Sequence, residues 1–242
     1  QAEQSIINAQ KSGFTNCSVA LTYGVPTQSL KQWMADLELA NFLGVKHIAA
    51  TAFSNNGDYY PAAGTVPDKA SESRQDLPEQ AFQVLRSFVR KYQYVHYDVV
   101  NIAKAGFESR QNLIYSNGTT TYLGIGPGAH SFYELNRTWN VDHVQTYLDE
   151  LHAGQCAFEL EHLSPTERAN EHIILGLRTS KGVNLATLSY LLTLKVYKEL
   201  KHRLTEAESA NRLHSTNHKV FFNPDYWLEV DEWLSWLLVP YD

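Results

Sequence analysis

Apolar positions in the first hundred residues follow two alternating patterns. CSVALTYG (17–24) and KHIAATAF (46–53) are short, β-rich apolar runs of the kind that form buried strands. SLKQWMADLELANFLG (29–44) and EQAFQVLRSFVRKY (79–92) instead place their apolar residues at helical spacing, along one side of a helix. Strands that alternate with helices in this way predict an α/β domain with a largely parallel sheet.

Two further apolar runs, YVHYDVVNIA (94–103) and TYLGIGPG (121–128), also predict strands. The intervening stretch 54–78 is rich in Gly, Pro and Ser and predicts a loop. In α/β sheets, functional residues gather where strands end. The predicted carboxyl ends are Tyr23–Gln28, Ala52–Asp58, Asn101–Ala105 and Gly124–Ser131.

The pattern changes from about residue 142, where helical spacing dominates. A capping box runs from Ser164 to Glu167, with Pro165 at the first helical position. Further helices, a short strand KVFF (219–222) and a last helix complete the chain. This order predicts a small, mainly helical, winged-helix-like domain.

The C-terminal segment is acidic, because it is rich in Glu and Asp. Winged helices often bind DNA, but an acidic one is better suited to docking against other proteins. Trp227, Trp233 and Trp236 fall on helical spacing near its end. We interpret these tryptophans as core or docking residues.

Composition narrows the class of protein. The chain has 242 residues, 43% of them apolar, and a formal net charge of -6, which argues against free binding to nucleic acid or anionic membranes. No apolar run approaches the roughly 18 residues of a membrane span, and no secretory signal opens the chain, so we expect a cytoplasmic protein. Because Gln1 cannot initiate translation and Met34 lies within a predicted helix, we expect a processed chain or a piece of a longer one.

Cysteines are scarce. Cys17 and Cys156 lie far apart and share no motif with a histidine or another thiol. Two isolated thiols do not supply a zinc site or an iron–sulfur site, so the sequence predicts no metal ligand.

Three stretches together resemble a known family. They are GFTNCSVALTYGVPTQSLKQW (13–33), YVHYDVVNIAKAGFESRQNLIYSNGTTTYLGIGPGAHSF (94–132) and LSPTERANEHIILGLRTSKGVNL (163–185). They are similar to segments of the oxygen-independent coproporphyrinogen III oxidase-like radical SAM proteins, and in particular to the heme chaperone branch. The match over 122–131 is the most specific of these.

The resemblance implies a fold and a set of ligands. It implies the C-terminal half of a radical SAM (β/α) barrel over residues 1–140, followed by the family's C-terminal helical and winged domain over 141–242. Full-length members carry a 4Fe–4S cluster and S-adenosylmethionine (SAM), and the heme chaperones bind heme or another porphyrin for transfer to a heme-accepting protein. The cluster cysteines belong to an N-terminal half that is not among these residues. A half-barrel would leave an open sheet edge along 17–22, where that half or another partner would pair.

The resemblance also assigns two sets of ligand-side residues, with no catalytic residue in either. The SAM-side strand ends are Tyr23, Gly24, Gly124 and Gly126. The heme-side residues are Asn112 and Tyr115. The turn GIGPGAH (124–130) is open to two interpretations, a structural turn or backbone contact with a ligand.

Several positions depart from the family. Ala20 stands where the family places an aspartate, and Gln111 and Ser116 replace a histidine and a tryptophan that are suited to heme. A second hypothesis is therefore a divergent, non-catalytic binding module that acts through protein contacts. His96 and Asp98 are expected on one strand face, as a structural pair or an acid/base pair.

Overall fold

A computed structural model describes residues 1–53, 77–118, 120–155, 157–216 and 218–240. The chain divides into two compact units, 1–109 and 110–242. The family-based boundary at residue 140 stays a prediction. The loop predicted over 54–78 lies almost wholly outside the described residues.

The first unit alternates helices and strands as the apolar pattern predicts. Its elements are α1 (Ala2–Lys11), β1 (Ser18–Tyr23), α2 (Leu30–Phe42), β2 (His47–Ala52), α3 (Leu77–Tyr92), β3 (Val95–His96) and β4 (Asn101–Ala103). Helix α2 begins with a capping box in which Ser29 and Gln32 bond each other's backbone amides.

The sheet of this unit has the order β1-β2-β4-β3. Only β1 and β2 pair in parallel, whereas β4 runs antiparallel to both β2 and β3. The expectation of a largely parallel sheet was therefore wrong for the described strands. The physical reason is a turn at 97–100, where Asp98 accepts hydrogen bonds from the amides of Val100 and Asn101 and reverses the chain.

The core of the first unit lies between this sheet and helices α2 and α3. Trp33, Leu37, Phe82, Leu85 and Phe88 are fully buried and face inward from the two helices. The indole N–H of Trp33 donates to the carbonyl of Ala81 at 3.0 Å, which ties α2 to α3. Among the described strands β1 has β2 as its one neighbour, so it forms the predicted edge.

The second unit begins with a short helix, continues with a three-stranded antiparallel sheet and ends in helices. Its elements are α4 (Arg110–Tyr115), β5 (His130–Tyr133), β6 (Asn136–Asn140), α5 (Val144–His152), β7 (Phe158–His162), α6 (Pro165–Leu177), β8 (Val183–Asn184), α7 (Leu185–Leu191), α8 (Leu194–Ser209), β9 (Leu213–Ser215), β10 (Lys219–Phe222), a 3₁₀ helix (Pro224–Glu229) and α9 (Val230–Leu237).

The predicted strand over 121–128 does not form. Tyr122 makes an isolated antiparallel bridge to Phe132, and the residues after it form a turn. Gly126 and Gly128 take positive φ angles of 105° and 65°, which a strand does not allow. The run is apolar, but its glycines favour a turn.

The order α6, β8, α7, α8 and the β9–β10 hairpin is that of a winged helix. The sheet β8-β10-β9 is antiparallel throughout and forms the wing. The predicted capping box is confirmed, because Ser164 accepts from the amide of Glu167 and Glu167 accepts from the amide of Ser164. No helix in the described part of the chain is both long and apolar enough to cross a membrane.

Candidate functional site

Three aromatic rings in the second unit form a continuous series. The ring of Tyr115, the last residue of α4, meets that of Tyr122 edge to face, with 4.7 Å between centroids. Tyr122 in turn lies 6.1 Å from Phe132. We call Tyr115, Tyr122 and Phe132 the aromatic ladder. Its inner end, Phe132, is buried, whereas 47% of the outer Tyr115 is exposed.

The backbone holds the ladder in place. Tyr122 and Phe132 exchange two backbone hydrogen bonds of 3.0 and 2.9 Å. Gly124 makes this close approach possible, since a Cβ there would lie 2.2 Å from the carbonyl oxygen of His130. The amide of Gly124 also donates to the hydroxyl of Ser131 at 2.9 Å. Gly124 therefore has a structural reason to be glycine.

Two guanidinium groups adjoin the inner end of the ladder. Arg168 on α6 stacks over the Phe132 ring, 4.6 Å from its centroid. Arg137, opposite Phe132 on β6, forms ion pairs with Glu171 and with Glu161, the latter at 3.6 Å. Glu171 also lies 3.6 Å from Arg168. One carboxylate thus links two cations beside the rings.

Burial and a neighbouring charge shift the pKa of Tyr122, the middle residue of the ladder, in opposite directions. Burial raises the pKa of Tyr122, while the neighbouring Arg137 lowers it. Nη1 of Arg168 is buried and makes no hydrogen bond within the described residues. The side chain of Arg137 is 30% exposed, so it is the cation that a carboxylate in solution reaches more readily.

The two heme-side residues that the resemblance assigns lie on α4, next to the outer end of the ladder. Asn112 precedes Tyr115 by three residues, which puts both on the same side of the helix. Gln111 precedes Tyr115 by four residues and shares that side. The Ser116 hydroxyl donates to the carbonyl of Asn112 at 2.7 Å, so it caps the helix end.

The SAM-side residues fall into two separate pairs. Tyr23 and Gly24 end β1 in the first unit, and Gly124 and Gly126 lie in the second. The Tyr23 ring is buried against Trp33 with 5.4 Å between centroids, and burial raises its pKa to about 12. Its side chain is therefore a core group, and only backbone atoms are left for a ligand.

A pocket of about 340 Å³ lies beside the Gly124–Gly126 turn. The carbonyl of Gly126 accepts from the Asn140 side chain at 2.8 Å, which fixes the turn against β6. The ring of His130 lies 6.2 Å from that of Trp139 on one wall. The lining residues are Gly128, His130, Trp139, Asn140, Val141, Asp142 and Glu159.

His96 and Asp98 are committed to different structural contacts. Nη1 of Arg86 donates to Nδ1 of His96 at 3.2 Å, and burial lowers the pKa of His96 to about 3, with the charge of Arg86 adding to the effect. Asp98 instead binds the amides of the turn and the Asn101 side chain. The expected pair on one strand face was therefore wrong, because β3 ends at His96 and Asp98 lies in the turn that follows. The contacts of each residue favour a structural role over acid/base work.

One chain of polar side chains in the first unit was not predicted from the sequence. His47 bonds the hydroxyl of Ser18 at 2.6 Å and that of Tyr97 at 2.7 Å. Ser18 and His47 are register partners on adjacent parallel strands. Once strand pairing is known, this register is the signal that locates the chain.

The residues present do not fit an iron–sulfur cluster. Such a cluster needs several closely spaced thiolates. The sequence holds two cysteines 139 positions apart, of which Cys17 lies with its Sγ 3.7 Å from the carbonyl of Phe14. Cys156 lies outside the described residues. Within the described residues, no three His, Cys, Asp or Glu side chains are grouped to hold a metal ion.

Comparisons with known proteins find a family similarity over part of the chain and a similar fold over most of it. Residues 163–224 match the family described as the HemN C-terminal domain. A solved structure reported as "Coproporphyrinogen III oxidase (HemN) from Escherichia coli is a Radical SAM enzyme" matches 98% of this chain and 58% of its own, with a TM-score of 0.72 at 13% identity. The chain therefore shares the α/β fold of that solved structure.

Curated relatives narrow the similarity to one branch. The chain is 28% identical to heme chaperone HemW of Bacillus subtilis (strain 168), over 74% of this chain and 48% of the relative. It is 30% identical to heme chaperone HemW of a Synechocystis species, over 77% and 46%. The resemblance to the heme chaperone branch is confirmed. The chain spans about half the length of the curated relatives it matches.

Proposed function

We propose that this chain forms the C-terminal part of a HemW-like heme chaperone and holds heme or a related porphyrin at the aromatic ladder. The observation that carries the proposal is the half-exposed Tyr115, which ends a series of contacting aromatic rings whose other end adjoins two guanidinium groups. The relatives named as heme chaperones support the cargo. We propose a cytoplasmic location and transfer to a heme-accepting protein.

The chemistry of the ladder suits this cargo. A tyrosine phenolate is an established axial ligand of heme iron, and aromatic rings pack well against the macrocycle. Asn112 lies on the same side of α4 and offers an amide to the ligand. Arg137 has the charge and the fork geometry to pair with a propionate carboxylate. Tyr115 thus takes the ligand role for which Gln111 is unsuited.

For SAM, we propose contacts through backbone groups only. Ala20 offers no carboxylate and the Tyr23 ring is buried, so Gly24, Gly124 and Gly126 would contribute backbone groups alone. The cluster ligands would come from an upstream half, for which the open edge of β1 is the proposed pairing site. We derive no reaction step through either group.

The second candidate function is a binding module that acts without radical chemistry. The replacements at Ala20, Gln111 and Ser116 favour it, since these side chains offer no carboxylate to SAM and no imidazole or indole to heme. Both candidates predict protein partners, but only the first predicts a tyrosine-ligated heme. Hemin titration of the chain therefore separates them.

The experiment is a hemin titration of the 242-residue chain, followed by the Soret band. We expect the wild type to give a shifted Soret band, and Tyr115→Phe to weaken binding by about tenfold or more, equivalent to ~1.4 kcal/mol. Phenylalanine keeps the ring contact with Tyr122 but removes the ligand oxygen. The matched control is Tyr190→Phe, which alters a tyrosine that is 88% exposed on α7.

Two outcomes would contradict the proposal. Equal Soret shifts for the wild type and for Tyr115→Phe would show that this phenol is not the ligand. An unshifted hemin spectrum with the wild type would favour the second candidate function.

A further inference from the structure

A groove of about 510 Å³ runs between α8 and α9 in the second unit. Its floor is made by Trp233 and Trp236, whose rings meet edge to face with 5.7 Å between centroids. Glu206 lies on the α8 side, while Glu229 and Glu232 lie on the α9 side. Trp236 is 40% exposed, which is high for so large an apolar side chain. We call these five residues the tryptophan groove.

The described lining of the tryptophan groove contains three carboxylates and no cation, although Nη1 of Arg203 donates to the backbone carbonyl of Trp236 at 2.9 Å. Glu206 pairs with His202 at 3.2 Å, and Glu229 pairs with Arg212 at 2.6 Å. Glu232 forms no ion pair with any residue in the described ranges. The groove therefore presents an uncompensated carboxylate beside two indole rings, an arrangement that attracts a cation.

Arg212, at one end of the groove, is an example of a guanidinium bound by this surface. Its Cζ lies 3.9 Å from the centre of the Tyr226 ring and 5.9 Å from that of Trp233, while Nε donates to Glu229 at 2.6 Å. An aromatic face and a carboxylate thus hold the same group at one end of the groove. Trp236 and Glu232 provide a second aromatic ring and a second carboxylate in the same groove, and Trp236 is 40% exposed.

We propose that the tryptophan groove binds an arginine side chain from a basic segment of a partner protein. The guanidinium would stack on the exposed indole of Trp236 and pair with Glu232. The volume of the groove suits one long side chain with its flanking residues. The inference is independent of the proposed heme site, because it rests on different elements of the second unit.

The charge of the groove decides between possible occupants. Heme carries two propionate carboxylates and nucleic acid carries phosphates, and the carboxylates of the groove repel both. A lysine would satisfy the charge, but its compact ammonium stacks less well on an indole than a planar guanidinium does. An arginine therefore fits both features of the surface.

The test uses fluorescence anisotropy of two labelled peptides with the 242-residue chain. One peptide is acetyl-Gly-Leu-Arg-Leu-Arg-Gly-amide, and the other has citrulline, a neutral isostere, in place of each arginine. We expect the arginine peptide to bind at least about fivefold more tightly, and 0.5 M NaCl to reduce that difference. Glu232→Lys should abolish the preference, while Glu79→Gln, an exposed glutamate on α3, should leave it unchanged.

A second variant tests the role of the aromatic floor. Trp236→Leu keeps an apolar side chain and should weaken the arginine peptide by about threefold to thirtyfold, the range of a cation–π contact. Unchanged peptide affinity in this variant and in Glu232→Lys would overturn the proposal. So would equal binding of the two peptides, or a concentration-dependent dimer that Glu232→Lys dissociates, since the groove would then be occupied by a second copy.

Discussion

The tyrosines compared in the two units differ in burial and in the partners of their hydroxyl groups. In the first unit Tyr94 and Tyr97 are buried, and their hydroxyls bond Val45 and His47 at 2.7 Å each. In the second unit the Tyr115 ring meets the Tyr122 ring edge to face, and its hydroxyl belongs to a half-exposed side chain. The buried hydroxyls stabilise the fold, whereas the exposed one is available to a ligand. Partners and burial, and not residue type, distinguish structure from function here.

The largest expected effect concerns the core of the first unit. Trp33→Ala removes a fully buried indole together with its hydrogen bond to Ala81, and should lower the free energy of unfolding by about 3–5 kcal/mol. Urea denaturation followed by far-UV circular dichroism measures the loss. Phe42→Ala at the end of the same helix is the control, since Phe42 is 83% exposed and its loss should cost less than about 1 kcal/mol. Equal losses would mean that α2 does not pack as described.

The next effect is a pH dependence. Burial, with the charge of Arg86, lowers the pKa of His96 from 6.5 to about 3. The unfolded chain therefore takes up the proton first as the pH falls, so stability is complete above pH 6.5 and decreases from there toward pH 3. Between pH 7.5 and pH 5 the free energy of unfolding should drop by about 2 kcal/mol for this histidine.

Urea midpoints at the two pH values measure this drop. Burial also lowers the pKa of His47 and of His172, and both act in the same direction. In His96→Gln the difference between the two pH values should shrink, whatever the stability of the variant at pH 7.5. The control is His152→Gln, an exposed histidine. An unchanged pH difference in His96→Gln would show that this imidazole is not held neutral.

Helices α2 and α3 were predictable from the sequence. The turn within the run 94–103 and the turn in place of a strand over 121–128 were not. Long apolar stripes at helical spacing predicted α2 and α3, because each helix buries one side against the same sheet. The run 94–103 is mostly made of strand-forming residues, and the hydrogen bonds that Asp98 accepts from the amides of Val100 and Asn101 show that it turns back on itself. Strand propensity of single residues does not predict the hydrogen bonds that form this turn.

The candidate site was also only partly predictable from the sequence. Asn112 and Tyr115 were assigned through family resemblance, and that assignment stays a prediction. Phe132 and Arg168 were not identified, because Phe132 meets Tyr122 only through the pairing across a turn, and Arg168 meets Phe132 from a later helix. Pattern and composition describe neighbours along a chain, while a binding surface is assembled across strands and helices.

The smallest effect tests the comparison of tyrosines directly, with one substitution in each unit. Tyr97→Phe leaves the buried Nε2 of His47 and the amide of Ser109 without their hydroxyl partner, and should cost about 1–2 kcal/mol of unfolding free energy. Tyr115→Phe removes a hydroxyl from a half-exposed side chain and should stay within about 0.5 kcal/mol. In hemin binding the order should reverse, with Tyr115→Phe impaired and Tyr97→Phe unaffected. If both variants lose similar stability and similar affinity, the distinction between structural and ligand-side tyrosines fails.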